Sequence, residues 1–332
     1  VIVALTGASG LLGGNVATLL VAEGHTVRCT RRGRSRTDHL AHLPLDWRDA
    51  GLDDLAKLTR VFDGAEVVVH VAGSTRPRRK PTPDLIAANV DGVRNVIHAV
   101  RAVGGPRLLH VSSTSAVGVS DDGDPIDETA PWNLPAHGLA DGYAITKRRG
   151  EELALAAGID VVVVNPGFLF GPLDVKPTSG RMIRDVALGR GWVATRGRNN
   201  FVDVRDVARG AWAAAQRGRR GERYILGGDN LTYAEVFTLI AEVTGARPPR
   251  LVASAPLARV VGWAGDLRRA VTGRDPAITT QTIRWGLEPG FVFRSDKARA
   301  ELGYTTGDLR VAIADAWEWM RRASGPTAGP RR

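Results

Sequence analysis

The first half of the chain alternates short apolar runs with longer stretches of helical periodicity. Val1–Leu5, Thr26–Thr30, Glu66–Val71, Arg107–Val111 and Asp160–Val164 read as strands. Leu11–Glu23, Leu52–Phe62, Asp84–Val103 and Ala140–Ala157 read as the helices between them. Val161-Val162-Val163-Val164 shows no alternation of apolar and polar positions, the pattern of a strand buried on both faces. Strands and helices in this order imply an α/β fold with a parallel, doubly wound sheet and right-handed crossovers. Such sheets bind ligands beyond the carboxyl ends of their strands.

After about residue 172 the rhythm breaks into Gly- and Pro-punctuated segments. A helix is predicted to start at Thr232, whose spacing to Glu235 fits a capping box, and another to run from about Asp308 to Arg322. The expected organisation is a dinucleotide-binding domain over 1–172 and a smaller substrate-binding region over 173–322 that partly returns to the core. A flexible tail is expected over 323–332. No internal repeat is visible.

The first strand runs into Thr6-Gly7-Ala8-Ser9-Gly10-Leu11-Leu12-Gly13, a GxxGxxG turn that opens a helix. Gly7 allows the tight turn, Gly10 lets backbone approach a pyrophosphate, and Gly13 lets the helix pack close to the strand. The free N–H groups of the first helical turn face the anion. Strand, glycines, helix and second strand together are the context of a Rossmann-type dinucleotide site. The second strand ends at Arg31-Arg32, with Arg31 standing 18 residues after Gly13. An NAD site has an acidic residue there for the ribose 2′-OH. Guanidinium groups instead match a 2′-phosphate, so NADP(H) is expected over NAD(H).

Composition narrows the classes. Hydrophobic residues make up 43% of 332, which suits a globular chain with a large core. No apolar run is long enough to span a bilayer. Val1 already belongs to a predicted core strand, so no signal peptide is expected, and the missing Met implies a few native residues ahead of it. The single cysteine, Cys29, falls in a predicted buried strand, which excludes an internal disulfide and fits a cytoplasmic location. No Cys/His cluster has metal-ligand spacing. The net charge of +10 is spread over separate clusters without a DNA-reading motif, so no specific nucleic-acid partner is expected. A homodimer is compatible with such a chain.

The strand Leu108-Leu109-His110-Val111 delivers Ser112-Ser113-Thr114 at its carboxyl end, and Tyr143-Ala144-Ile145-Thr146-Lys147 follows on a predicted helix. Positions i and i+4 share a helix face, so Tyr143 and Lys147 point the same way. A phenol near pKa 10 is a poor base unless a neighbouring ammonium lowers that value. Ser113 could hold a substrate oxygen while Tyr143 gives or takes its proton. Each piece alone also suits surface stabilisation or strand capping. Their conjunction downstream of a dinucleotide turn reads as catalytic.

With these residues in place the chain resembles the extended short-chain dehydrogenase/reductase superfamily, the NAD-dependent epimerase/dehydratase family, over nearly its whole length. The resemblance implies that Thr6–Gly13, including Ser9, Leu11 and Leu12, hold the pyrophosphate and that Ser113, Tyr143 and Lys147 are catalytic. It implies adenine contacts from Asp46 and Trp47 at the end of a third strand, and cofactor contacts from Ala72, Gly73 and Asn89. Pro166 and Phe168 would lie along the nicotinamide, and Lys147 would also hold its ribose. Asp203–Ala208 resembles a late structural motif. Thr114, Phe168, Lys176, Arg181 and Trp192 are candidate substrate residues. The run Leu173–Arg181 with Gly221–Gly228 resembles hopanoid-associated sugar epimerases, whereas Asn165–Pro172 resembles the dihydroflavonol-reductase and hydroxysteroid-dehydrogenase type. Phe168 stands where many nucleotide-sugar enzymes carry Asn, and no Thr-Asp-Glu of the dehydratases lies between Ser113 and Tyr143. The expected activity is an NADP(H)-dependent carbonyl reductase. The alternatives are a sugar epimerase with transient oxidation and a non-catalytic NADP-binding regulator.

Overall fold

A computed structural model describes residues 1–76, 78–176, 179–273 and 278–323. In chain order, β1 (Ile2–Thr6), α1 (Leu11–Ala22), β2 (Thr26–Arg31), β3 (Asp46–Asp49), α2 (Leu55–Phe62) and β4 (Val67–His70) form the first half of the main sheet and its cover. The short α3 (Pro83–Ile86), a π-helical turn over Ala87–Asp91 and α4 (Gly92–Ala102) make one interrupted helix. β5 (Arg107–Val111), α5 (Gly142–Leu155) and β6 (Val161–Pro166) follow. The second half contains β7 (Phe168–Phe170), α6 (Gly180–Ala187), β8 (Val193–Ala194), β9 (Arg198–Asp203), α7 (Val204–Arg217), β10 (Arg223–Leu226), β11 (Asp229–Thr232) and α8 (Tyr233–Thr244). It ends with β12 (Leu251–Val252), α9 (Ala255–Thr272), α10 (Thr280–Leu287), α11 (Asp296–Leu302) and α12 (Leu309–Ala323).

Seven parallel strands form the main sheet in the order β10-β6-β5-β4-β1-β2-β3. The order reverses between β1 and β4, which opens a crevice at their carboxyl ends. One face packs beneath α1, α7 and α11, with Val3, Leu5, Val162, Val164 and Trp212 in its core. The other packs beneath α2, α4 and α5, with Ala4, Val68, Leu108, Val161 and Val163. The four valines of β6 are fully buried and divide between the two faces.

The second half builds a smaller layer. β11-β9-β7 form a three-stranded sheet against α6, α8 and α12. β10 and α7 return to the main sheet. Thr232 caps α8 through Glu235 in the reciprocal arrangement its spacing implied. Asp203 caps α7 and binds Arg205, which also reaches Asp315 on α12.

Some expectations need correction. Asp46 and Trp47 begin β3 and do not end it, since Asp46 pairs in register with Arg28. The helix expected over Asp84–Val103 is broken by its π-helical turn. Ala323 closes α12, and the tail beyond it lies outside the described residues. So do Pro177 and Thr178 of the Leu173–Arg181 run.

Candidate active site

The glycine turn sits at the end of β1, beside the crevice. Gly7 has φ of +81°, a conformation that disfavours a side chain. A Cβ at Gly13 would come 2.1 Å from the Gly7 carbonyl oxygen, so only glycine lets α1 approach so closely. A Cβ at Gly10 would meet nothing nearer than 3.5 Å, which leaves space above that backbone. No side chain caps α1, and its first turn presents backbone N–H groups as an anion cradle. These residues fit a dinucleotide pyrophosphate.

The flanks of the crevice are held by local hydrogen bonds. Ala72 N donates to Thr6 Oγ1 at 3.3 Å. Asn89, in the π-helical turn, accepts from Ser74 N at 2.8 Å and donates to Thr146 Oγ1 at 3.1 Å. It therefore ties the loop after β4 to α5, and a side chain at Gly73 would strike its Oδ1. π turns often mark functional positions, and this one had no signature in the apolar period. Arg31 and Arg32 are exposed at the end of β2, and no carboxylate pairs with either among the described residues. Asp46 is engaged by Arg48 at 2.8 Å, and Trp47 packs on the core below. Pro166 ends β6 in the buried layer.

Ser113 follows β5 in extended backbone and accepts from Ser115 N at 3.2 Å. Tyr143 lies in the first turn of α5, with its hydroxyl beside the Ser113 and Ser115 hydroxyls. Asp141 caps that helix, accepting from Ala144 N at 2.8 Å. Burial pushes the Asp141 carboxyl up to about 6 against the helix N–H groups and Gln281. Lys147 is buried, and its Nζ donates to the Val111 carbonyl at 2.7 Å. Burial pulls the Lys147 ammonium down to about 8, opposed by the Glu151 carboxylate.

The expectation that Lys147 depresses the Tyr143 phenol does not describe this structure. Burial pushes the phenol up, the two serine hydroxyls oppose that shift, and Asp141 reinforces it. The ammonium is turned to the β5 carbonyl instead.

A family model described as the NAD dependent epimerase/dehydratase family matches residues 3–227. The chain belongs to that family. It is 32% identical to a provisionally named dihydroflavonol 4-reductase of Synechocystis sp., over 96% of this chain and 94% of that one. It is equally identical to sterol demethylase protein B of Methylococcus capsulatus, over 96% and 97%. The solved structure of PA4631, a nucleoside-diphosphate-sugar epimerase from Pseudomonas aeruginosa, is 29% identical with a TM-score of 0.81 over 98% of both chains. The chain is thus an extended short-chain dehydrogenase/reductase, an oxidoreductase or epimerase by type.

The candidate substrate residues are spread over several elements. Thr114 is buried just beyond Ser113. Phe168 is half-buried in β7, edge-on to Phe170 at 5.6 Å and Phe201 at 5.4 Å. Lys176, Arg181 and Trp192 are exposed, and Arg181 turns to Asp185. No hydrogen bond or ion pair joins these three to Ser113 or Tyr143 among the described residues. Their place in the second half gave sequence position but no geometry.

A buried polar layer beneath the catalytic candidates was missed. Glu151, one turn after Lys147, is fully buried, accepting from Asn165 Nδ2 at 2.6 Å and Arg223 Nη1 at 3.0 Å. His70 and His110, register partners on β4 and β5, stack at 5.4 Å, and His70 Nδ1 lies 2.7 Å from Thr6 Oγ1. Burial and the Lys147 ammonium push both imidazoles down, His70 to about 3. The signal for Glu151 was its i+4 spacing from Lys147. Its partner Arg223 stands 72 residues away.

Proposed function

We propose that the protein is an NADP(H)-dependent reductase of a ketone or aldehyde on a lipophilic substrate, with Tyr143 as proton donor. The observation that carries this reading is the Tyr143 hydroxyl placed beside the hydroxyls of Ser113 and Ser115 at the carboxyl end of β5, next to the switch point. The bound nicotinamide would supply a hydride to the carbonyl carbon. Ser113 would bind the carbonyl oxygen, and Tyr143 would deliver the proton as the alcohol forms. A phenol pushed up by burial is protonated at neutral pH, the state a reductase needs at the start of turnover. Lys147 would hold the nicotinamide ribose and return the proton to Tyr143.

Arg31 and Arg32, exposed and without a carboxylate partner among the described residues, support recognition of the 2′-phosphate of NADP(H). Phe168, half-buried where many nucleotide-sugar enzymes carry Asn and backed by the buried Phe170 and Phe201, favours an apolar ring over a sugar, as do the names of the reductase and sterol-related relatives. The nucleoside-diphosphate-sugar epimerase neighbour supports a second reading, transient oxidation of a sugar carbon without net cofactor consumption. A cytoplasmic setting suits a chain whose single cysteine is buried and unpaired.

The test is NADPH consumption with a panel of apolar ketones and aldehydes. Tyr143→Phe keeps the ring and removes the proton-bearing oxygen, so turnover falls by ~10²-fold or more with cofactor affinity nearly intact. Native turnover by Tyr143→Phe would refute the assignment.

A further inference from the structure

Most of the exposed large apolar side chains among the described residues lie in one stretch. On α9, Leu257 is 47% exposed, Val260 62%, Trp263 64%, Leu267 51% and Val271 78%. A helix advances about 100° per residue, which places these positions side by side on one face. The opposite face is the packed one. A Cβ on Gly265 would sit 2.0 Å from the Ile278 carbonyl oxygen, and one on Gly262 3.0 Å from the Thr280 Cα, so α9 lies tightly on the start of α10. Asp266, the only acidic residue of α9, belongs to that inner side and accepts from Thr280 N at 3.2 Å. α9 therefore turns its glycines and its acid inward and its apolar stripe outward, the reverse of an ordinary surface helix.

The stripe is bordered by cations. Arg259 and Arg268 flank it, both exposed, and Arg247 and Arg250 precede the helix. The short strand leading into it adds Leu251, 45% exposed. No described helix is long and apolar enough to cross a membrane, so α9 fits the geometry that lies on a bilayer and does not span it. Docking to a second copy by this face would bring like-charged arginine rims together, whereas an anionic surface matches them and the chain's net charge of +10.

We propose that α9 docks the protein on an anionic lipid bilayer, with its apolar stripe in the headgroup–acyl boundary and Arg259 and Arg268 against lipid phosphates. Trp263 sits at the edge of the stripe, the amphipathic position that interfacial tryptophans occupy. α10 connects this face to the site. Its Arg284 Nη1 donates to the Gly138 carbonyl at 3.4 Å, three residues before Asp141, the cap of the helix that carries Tyr143. A bilayer-dissolved substrate would thus leave the membrane one helix away from Tyr143. That corollary rests on the proposed reductase function, but the docking itself does not.

The experiment is co-flotation of the full chain with phosphatidylcholine vesicles, with and without phosphatidylglycerol, alongside light scattering without lipid. The native protein binds the phosphatidylglycerol vesicles at least about tenfold more tightly, and added salt weakens the binding. Arg259→Glu with Arg268→Glu lowers that affinity by roughly 25-fold or more, at about fivefold per lost cation. Val260→Ser with Leu267→Ser lowers it by at least about tenfold. All four positions are exposed, so the unfolding temperature of each variant stays native. Absence of native binding, or binding unmoved by both variants, overturns the proposal. So does a dimer that Val260→Ser with Leu267→Ser dissolves while vesicles capture nothing, because the stripe is then a self-interface. The readout is binding, so its failure leaves the turnover test above untouched.

Discussion

Glu151→Gln separates the charge of the buried layer from its shape. The carboxylate is fully buried and bonded to Arg223, whose side chain is 15% exposed. Breaking such a pair by removing one charge costs about 3–5 kcal/mol. The amide keeps an acceptor, so a loss near the lower end, about 3 kcal/mol, is expected, or roughly 4 °C in Tm for a chain of this length. The second effect is on Lys147. Burial holds its ammonium down to about 8, and Glu151 is the group that opposes this. Losing the opposite charge lowers it further, by about one unit. At pH 7.5 the ammonium fraction then falls from about three quarters to about one quarter. If the ammonium is the active form, the alkaline limb of kcat/KM moves down by about one unit and the rate at pH 7.5 falls about threefold. Arg223→Gln removes a cation that competes for the same carboxylate, so its limb moves up. The assays are thermal unfolding and NADPH absorbance across pH. An alkaline limb that stays put in Glu151→Gln, despite the lost stability, would show that Glu151 acts through packing alone.

Two further outcomes follow from the cofactor crevice. Gly13→Ala places a methyl 2.1 Å from the Gly7 carbonyl oxygen, so α1 must shift, with a loss of about 1–3 kcal/mol in unfolding free energy and of measurable dinucleotide binding by calorimetry. Native-like binding would show that the close packing of α1 is dispensable. Arg31→Asp removes the exposed guanidinium at the end of β2, and calorimetry should show NADP⁺ affinity falling ten- to a hundredfold while NAD⁺ affinity holds or rises. Native NAD⁺ binding as tight as NADP⁺ would end the 2′-phosphate reading.

The parts legible from the residues were those set by local spacing. Gly7 and Gly13 announced the turn because a positive φ and a close helix approach exclude side chains. Tyr143 and Lys147 announced a shared helix face because helical period is local. The valines of β6 announced a strand buried on both sides. What escaped depends on distant partners. Ser115, beside the Tyr143 hydroxyl, was not singled out from the sequence. Glu151 is explained by Arg223 and Asn165. The acidity of Tyr143 was misjudged because its sign depends on burial and on where the Lys147 ammonium turns. The π-helical turn at Asn89 shifts the helical phase with no glycine or proline inside it. α9 eluded the apolar pattern because its outward face carries the large residues and its buried face the small ones.

Deuterium transfer tests the central claim most directly. The native protein is incubated with NADPH carrying deuterium at the transferable position and with a ketone substrate, and the product is read by mass spectrometry. The account predicts one deuterium on the new carbinol carbon and one NADP⁺ released per alcohol formed. A product epimerised without deuterium and without net NADP⁺ would contradict it, and would place the chain with the epimerases of its family.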